Sequence, residues 1–480
     1  MTSLVWVTTC WEESQAASIS LHDLNGDGRT DVFVEGPRVE NGSRPMLLDG
    51  VDGTTIWQSE VDISMITVAQ FADLNGDGLS DVIVGGRGVP EDDRPLAAID
   101  GSDGSTIWRV DPIEPAWGNV YTPQGIGDVT DDGVQDWVVA TGGDHIREVM
   151  EPPTVAGRVM VIDGAMGELV GAAELPEPQE IYNSPVIVDD GEGALFVLVG
   201  SGGEVFSGSF WRIALDDVVN GTDSGFEEIL AGDDSSYMAP ASVGDLDGDG
   251  GSEVVVVRTD GLVTAVDPFS GEVLWEVEPA AEHLDAMSVN VVALSVAVPA
   301  LGQLDADASV EVVTQHLLLA EEDLVDGLVG RSDSVVAVVD GATGRIEHEL
   351  FVERSDSAQS PLIASTEAGT GVVCACIPSE SVADPDYELS RRETRLGWWE
   401  PDGESVVDLG LPTSLSKTPA FHRADGDTTG FVLYSAGTYP AERVRPSSIT
   451  ASIPAPNGAP ITEVAWGGYM GPVSSGHSKD

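Results

Sequence analysis

One short acidic stretch recurs along the chain at a spacing that few architectures can use. DLNGDGRTDVFVEG starts at Asp23 and DLNGDGLSDVIVGG at Asp73. DVTDDGVQDWVVA follows from Asp128 and DLDGDGGSEVVVV from Asp245, and a worn copy, QLDADASVEVVT, starts at Gln303. The starts are 50, 55, 117 and 58 residues apart, so the longest gap holds about two periods. Such periodicity marks a supersecondary unit that buries its apolar face against the next copy.

A second marker fills the gap. Pro123, Pro240 and Pro299 stand five, five and four residues before their loops. Pro185 (NSPVIVDD), Pro361 (QSPLIAS) and Pro419 (KTPAFHR) have similar surroundings. From Pro123 to Pro419 the steps are 62, 55, 59, 62 and 58 residues. With the first two copies, which lack the proline, the total is eight repeats. A third marker closes the units: LLDGVDGTTIW, AIDGSDGSTIW, VIDGAMGELV, AVDPFSGEVLW and VVDGATGRIEH. Each reads as a short strand, a Gly-containing turn and a second strand, which is a hairpin.

Acidic oxygens at alternate places, with Gly28 or Gly78 at the sixth, suggest a calcium loop. An EF-hand has that start but needs flanking helices and a bidentate Glu at place twelve. Place twelve here is Val34, Val84, Val139 or Val256, inside β-branched runs. The loop therefore separates two strands. Each repeat offers about four strands and no helical pattern, which predicts an all-β chain folded as one β-propeller of four-stranded antiparallel blades. Eight blades are expected, starting near 14, 64, 119, 181, 237, 295, 357 and 415. Seven is the alternative if the worn repeats near 366 and 424 merge. Trp6 precedes Asp23 by 17 residues, much as Trp57 precedes Asp73 by 16. Residues 3–8 are thus expected to close the ring as an outer strand, with PITEVAW near Trp466 as a competitor. The propeller would span 1–470, and 471–480 would be a flexible tail.

This motif set resembles the FG-GAP repeat of integrin-α-type (VCBS-like) propellers, and the DGxxGxxxW hairpin resembles the quinoprotein, PQQ-like propeller repeat. The resemblance covers nearly the whole chain, strongest around 23, 73 and 245 and weakest around 190, 366 and 424. It implies about four structural calcium ions, held by side chains at places one, three, five and nine and by the carbonyl at seven. In the first loop these are Asp23, Asn25, Asp27, Arg29 and Asp31. The second has Asp73, Asn75, Asp77, Leu79 and Asp81. The third has Asp128, Thr130, Asp132, Val134 and Asp136, and the fourth Asp245, Asp247, Asp249, Gly251 and Glu253. Oxygen-only ligands suit a hard cation rather than zinc. The fifth copy offers Gln303, Asp305, Asp307 and Glu311 but has Ala308 where Gly is expected, and is left out of the ligand set. Acidic turns without an ion are the alternative reading, since Asp, Asn and Gly favour turns.

The chain carries 83 acids against 21 bases, a net charge of −62, and its only lysines are Lys417 and Lys479. Acid spread along the whole length resembles the proteins of salt-loving archaea, where salt screens the self-repulsion. The charge argues against nucleic acid and anionic membrane surfaces as partners. No segment approaches the roughly 20 apolar residues of a membrane span. The start has no basic residue and only a short apolar run, a poor fit to a signal peptide.

Cys374 and Cys376 read as small hydrophobes of a strand rather than a redox pair. Trp57, Trp108 and Trp275 recur at one hairpin position, which favours docking between blades over ligand stacking. Arg391, Arg392, Arg395, Trp398 and Trp399 form the least acidic cluster, either a binding hot spot or a long hairpin. The seven histidines form no recognisable group, and no HExxH, Gly-x-Ser-x-Gly or phosphate loop stands in a believable context. These features lead to the expectation of a non-catalytic, calcium-stabilised binding, adhesion or scaffold protein. It would be monomeric, placed at the cell surface or outside the cell, with a protein or glycan ligand. The alternative is a propeller enzyme, either a PQQ-dependent dehydrogenase or a polysaccharide lyase.

Overall fold

Asp31–Val34 sends Phe33 to one side of its sheet and Val32 and Val34 to the other, and all three side chains are buried. A strand covered on both faces needs an unbroken apolar run instead of alternation. Asp81–Arg87, Asp136–Thr141 and Glu253–Val257 repeat this pattern in their own sheets. In a computed structural model these strands form the second strands of the blades of one all-β propeller. The structure describes residues 7–10, 19–39, 42–87, 94–111, 118–142, 155–203, 207–286, 291–305, 307, 309–320, 332–355, 359–367, 369–378, 394–403, 405–412, 418, 420–422, 431–436, 448–454, 461–466 and 470.

Seven antiparallel blades are built from strands that follow one another along the chain. Blade 1 consists of Ser20–His22, Asp31–Val34, Met46–Leu48 and Thr55–Gln58. Blade 2 runs to Thr106–Arg109, and its inner edge is split into Ser64–Met65 and Gln70–Ala72. Blade 3 spans Gln124–Gly127 to Leu169–Glu174, and blade 4 spans Val186–Asp189 to Glu227–Ala231. Blade 5 runs from Ser242–Gly244 to Val273–Val277. Blade 6 contains the long strands Glu311–Ala320 and Ser332–Asp340 and ends with Ile346–Val352. Blade 7 runs from Leu362–Thr366 to Ser405–Pro412.

Seven blades of consecutive strands match the count held as the alternative, and one further four-stranded sheet is closed from both chain ends. The last repeat supplies only Ala420–His422, Phe431–Ala436 and Ser448–Pro454. Its fourth strand is Val7–Cys10 from the other end of the chain, with Val7 opposite Ala451 and Cys10 opposite Ser448. Residues 3–6 of the expected closing strand lie outside the described residues, as does the tail expected at 471–480. The competitor does not take that place. Ile461–Trp466 pairs instead with the inner strand of blade 7, Ile461 opposite Thr366 and Trp466 opposite Ile363.

The core is a set of apolar layers between blades. Leu24, Phe33, Leu47 and Trp57 of blade 1 pack with Ile63, Val82, Ala97 and Ile99 of blade 2. Leu74, Ile83 and Trp108 of blade 2 pack in the same way with Trp137, Val139 and Met160 of blade 3. Burying a large aliphatic or aromatic side chain contributes about 1.5–3 kcal/mol, so these layers, more than hydrogen bonds within each sheet, hold neighbours together.

Near the inner strands a series of hydroxyls links the blades and explains the proline marker. Ala69 N donates to Ser20 Oγ at 2.8 Å, and Thr122 Oγ1 bonds Thr67 Oγ1 at 2.8 Å. Thr122 N donates to Ser184 Oγ at 3.1 Å, Ser242 Oγ to Pro299 O at 2.6 Å and Val298 N to Ser360 Oγ at 2.9 Å. Thr122, Ser184 and Ser360 each precede a marker proline. Proline holds its predecessor in extended backbone, and these three hydroxyls meet the neighbouring blade. Two short helices, Leu215–Val219 and Ala281–Ala286, were not legible in the sequence. The first replaces a hairpin tip, where its Val218 and Val219 carbonyls leave no room for a Cβ at Gly171 of blade 3.

Candidate metal centres

Each acidic loop connects the first and second strands of its blade. In blade 1, Asp23 accepts from Gly26 N and Gly28 N, both at 2.9 Å, through its two oxygens. Asn25 Oδ1 accepts from Asp27 N at 2.9 Å, and Asp27 Oδ1 from Arg29 N at 2.9 Å. The arrangement repeats in blade 2, where Asp73 accepts from Gly76 N and Gly78 N, Asn75 from Asp77 N and Asp77 from Leu79 N. Blade 3 retains Gly133 N to Asp128 Oδ2 at 2.8 Å and Val134 N to Asp132 Oδ1 at 2.8 Å, with Thr130 Oγ1 3.5 Å from Asp136 Oδ1. Blade 5 retains Gly248 N and Gly250 N on Asp245, Asp249 N on Asp247 and Gly251 N on Asp249. The glycines at place six have φ of 82°, 89°, 93° and 90°, a region that side chains disfavour.

Place nine differs in kind. Asp31, Asp81 and Asp136 are buried. One oxygen of each accepts the amides at places two and three, as Asp81 Oδ2 does from Leu74 N at 2.9 Å. In blades 2 and 3 the second oxygen reaches the hairpin of the same blade: Asp81 Oδ1 accepts from Gly101 N at 3.1 Å, and Asp136 Oδ1 from Gly164 N at 3.0 Å. Place nine therefore ties the acidic loop to the DG turn. Burial pushes the Asp31 carboxyl up to about 6 despite the Asn25 and Leu24 amides, and burial likewise raises Asp81 and Glu253.

The donor sets fit a hard divalent cation. Amide hydrogen bonds use only part of each carboxylate's acceptor capacity, and every candidate ligand is oxygen. In blade 5 one oxygen each of Asp245, Asp247 and Glu253 lies within 4.8 Å of the others. A bound ion would offset the repulsion there and hold two strands at the blade end. Place two does work of its own, which the sequence reading missed. Leu24 and Leu246 are buried, and each packs against the hairpin glycine of the next blade, Gly101 and Gly341.

The recurrent tryptophans latch blade to blade. Trp57 Nε1 donates to Gly101 O at 2.7 Å, Trp108 Nε1 to Gly164 O at 2.8 Å and Trp275 Nε1 to Gly341 O at 2.6 Å. Their rings cover Gly104, Gly167 and Gly344, where an added Cβ would sit within 2.8 Å of the indole. Blade 4 lacks the tryptophan and uses Arg212, whose Nη1 donates to Pro268 O at 2.7 Å.

Two sequence readings change. Cys374 and Cys376 are joined by a disulfide across Ala375, with Cα atoms 5.2 Å apart. Residues two apart on a strand share a face, and a register irregularity between Cys374 and Ile377 brings this pair together. Trp398 and Trp399 are buried on opposite faces of blade 7, so they are core and not an exposed hot spot. Arg395 pairs with Asp408 at 2.7 Å, while Arg391 and Arg392 lie outside the described residues.

Fold and loops together define a β-propeller carrying FG-GAP-like repeat sequence. Residues 23–84 match the FG-GAP-like repeat family. No curated protein sequence matches the chain. Among solved structures, the fold is similar to the quinohemoprotein alcohol dehydrogenase ADHIIG of Pseudomonas putida HK5, with a TM-score of 0.60 and 14% identity over 94% of this chain and 76% of that one. The quinohemoprotein alcohol dehydrogenase of Comamonas testosteroni gives 0.57 and 12% over the same shares. The V. cholerae biofilm matrix protein Bap1 gives 0.53 and 12%, covering 100% of this chain and 96% of that one. At these identities the likeness is one of fold.

Proposed function

We propose that this chain is a non-catalytic, calcium-stabilised β-propeller that serves as a binding, adhesion or scaffold protein at the cell surface of a salt-adapted organism. The observation that carries this reading is one oxygen-lined loop repeated in blades 1, 2, 3 and 5 with the same internal hydrogen bonds. Repetition around a ring favours a structural ion over a single reactive centre. The net charge of −62 supports a saline setting, and the fold neighbours include a biofilm matrix protein. The ligand would be a protein or a glycan. A glycan and protein-partner screen at molar salt tests the reading; failure to retain any ligand with the calcium-loaded chain would count against it.

The quinohemoprotein neighbours keep a second reading in play, an enzyme of PQQ-dependent dehydrogenase type. Quinone absorbance retained by the purified protein after reconstitution, together with alcohol oxidation, would favour it. Unsaturated product from uronate polymers would favour a polysaccharide lyase.

A further inference from the structure

The worn loop of blade 6 is where the repeated pattern comes apart. Gln303, at place one, spends its Nε2 on Asp307 O and Ser309 O, both at 2.9 Å. Asp307 Oδ1 accepts from Ser309 N and Oγ at 2.9 and 2.8 Å. Place one thus closes the loop on itself, while place five keeps the bond to the place-seven amide found in the other loops. Place nine keeps its usual position: Glu311 is fully buried, and its Oε2 accepts from Leu304 N. Glu311 Oε1 is also buried and has no hydrogen-bond partner among the described residues. A buried carboxylate oxygen without a donor is costly, and a cation within reach would satisfy it.

A third acid comes from outside the loop. Glu347 stands on the outer strand Ile346–Val352, and one carboxylate oxygen each of Asp305, Glu311 and Glu347 lies within 4.8 Å of the other two. The base beside them is Arg345, which contacts Glu347 Oε1 from a side chain that is itself 69% exposed. The Glu347 side chain is only 10% exposed, and its carboxylate keeps acceptor capacity beyond this one guanidinium. One oxygen from each of these three carboxylates, with Glu311 fully buried, makes an all-oxygen donor set for a hard divalent cation.

We propose that Asp305, Glu311 and Glu347 form a separate divalent-cation site in blade 6, where an outer-strand carboxylate supplies the charge that Gln303 does not bring to place one. The site takes Ca²⁺ or Mn²⁺ through one oxygen of each acid and stands on its own geometry, whether or not the loops of blades 1, 2, 3 and 5 bind ions. It fastens the outer strand to the loop, beside the bond that Ser309 Oγ donates to Asp340 Oδ2 of the DG turn at 2.9 Å.

Anomalous diffraction from crystals of the full chain grown in MnCl₂ locates the ion directly. The expected result is a peak within coordination distance of all three carboxylates, lost in Glu347→Gln. That variant should keep its melting temperature in chelator, which separates loss of the site from loss of the fold. Arg345→Gln releases Glu347 from its partner and should raise the peak's occupancy at subsaturating manganese. Absence of the peak in the wild type overturns the site. So does a peak that persists in Glu347→Gln, or occupancy that does not rise in Arg345→Gln. Manganese at the other four loops, or its absence there, bears on the calcium reading alone.

Discussion

The indole Nε1 of Trp57 in blade 1 lies 2.7 Å from the carbonyl oxygen of Gly101 in blade 2, while its ring lies over Gly104. This contact explains why two glycines and a tryptophan recur in the hairpin motif: the glycines receive the tryptophan of the preceding blade. Trp57→Phe should retain most of the packing and cost about 1–3 kcal/mol for the orphaned carbonyl. Trp57→Ala should cost about 3–5 kcal/mol. Gly104→Ala places a Cβ 2.7 Å from Trp57 Cε3 at a φ of 80°. Its penalty should fall in the Trp57→Ala background, where only the backbone term persists. Denaturant melts of the four-member cycle measure this coupling, and additive losses would contradict the latch.

Asp77 offers a test of the calcium reading. Its Oδ1 accepts from Leu79 N at 2.8 Å, a bond that Asn can keep. Asp77→Asn therefore removes charge with little change of shape. Two effects compete, lost attraction for the ion and lost repulsion among Asp73, Asp77 and Asp81. The variant should melt below the wild type in calcium, and the gap should shrink or reverse in chelator at one fixed ionic strength. A wild type whose melting ignores chelator would remove the argument for this loop.

Closure through Val7–Cys10 makes the amino terminus part of the ring. Deleting residues 1–10 leaves Ser448–Pro454 as a bare edge, which lowers stability and invites pairing between chains. The truncated protein should melt several degrees lower and show concentration-dependent association by light scattering. An unchanged melting curve would sink the closure.

His316 predicts an acid limb of stability. It is fully buried between Ser295 Oγ, 2.6 Å from Nδ1, and Thr314 Oγ1, 2.8 Å from Nε2. Burial pushes its pKa down to about 4 from 6.5. The unfolded chain therefore takes up the proton first as pH falls. The His316 contribution to stability is full above pH 6.5, declines towards pH 4 and then levels, losing up to roughly 3 kcal/mol at about 1.4 kcal/mol per unit. His316→Gln should remove this slope within the window and leave its curve parallel to the wild type's outside it. Chemical denaturation across pH 4–7 measures both.

Repeat period, strand type and hairpin chemistry are legible in the order of residues, because each is local. Asp, Asn and Gly at fixed places make the loop, and β-branched runs such as DVFV need only their own side chains to be strands. The place-nine acids could be found from spacing alone, and so could the tryptophan latch. Edge competition was beyond such a reading. Val7–Cys10 takes the outer edge of the last sheet while Ile461–Trp466 goes to Leu362–Thr366, a choice made between segments more than 400 residues apart in one case and about 100 in the other. Nor could spacing show that Trp398 and Trp399 face two buried layers, that Cys374 meets Cys376 at a bulge, or that Glu347 reaches Glu311. Those relations depend on which strand lies beside which, and that is settled only when all the blades pack at once.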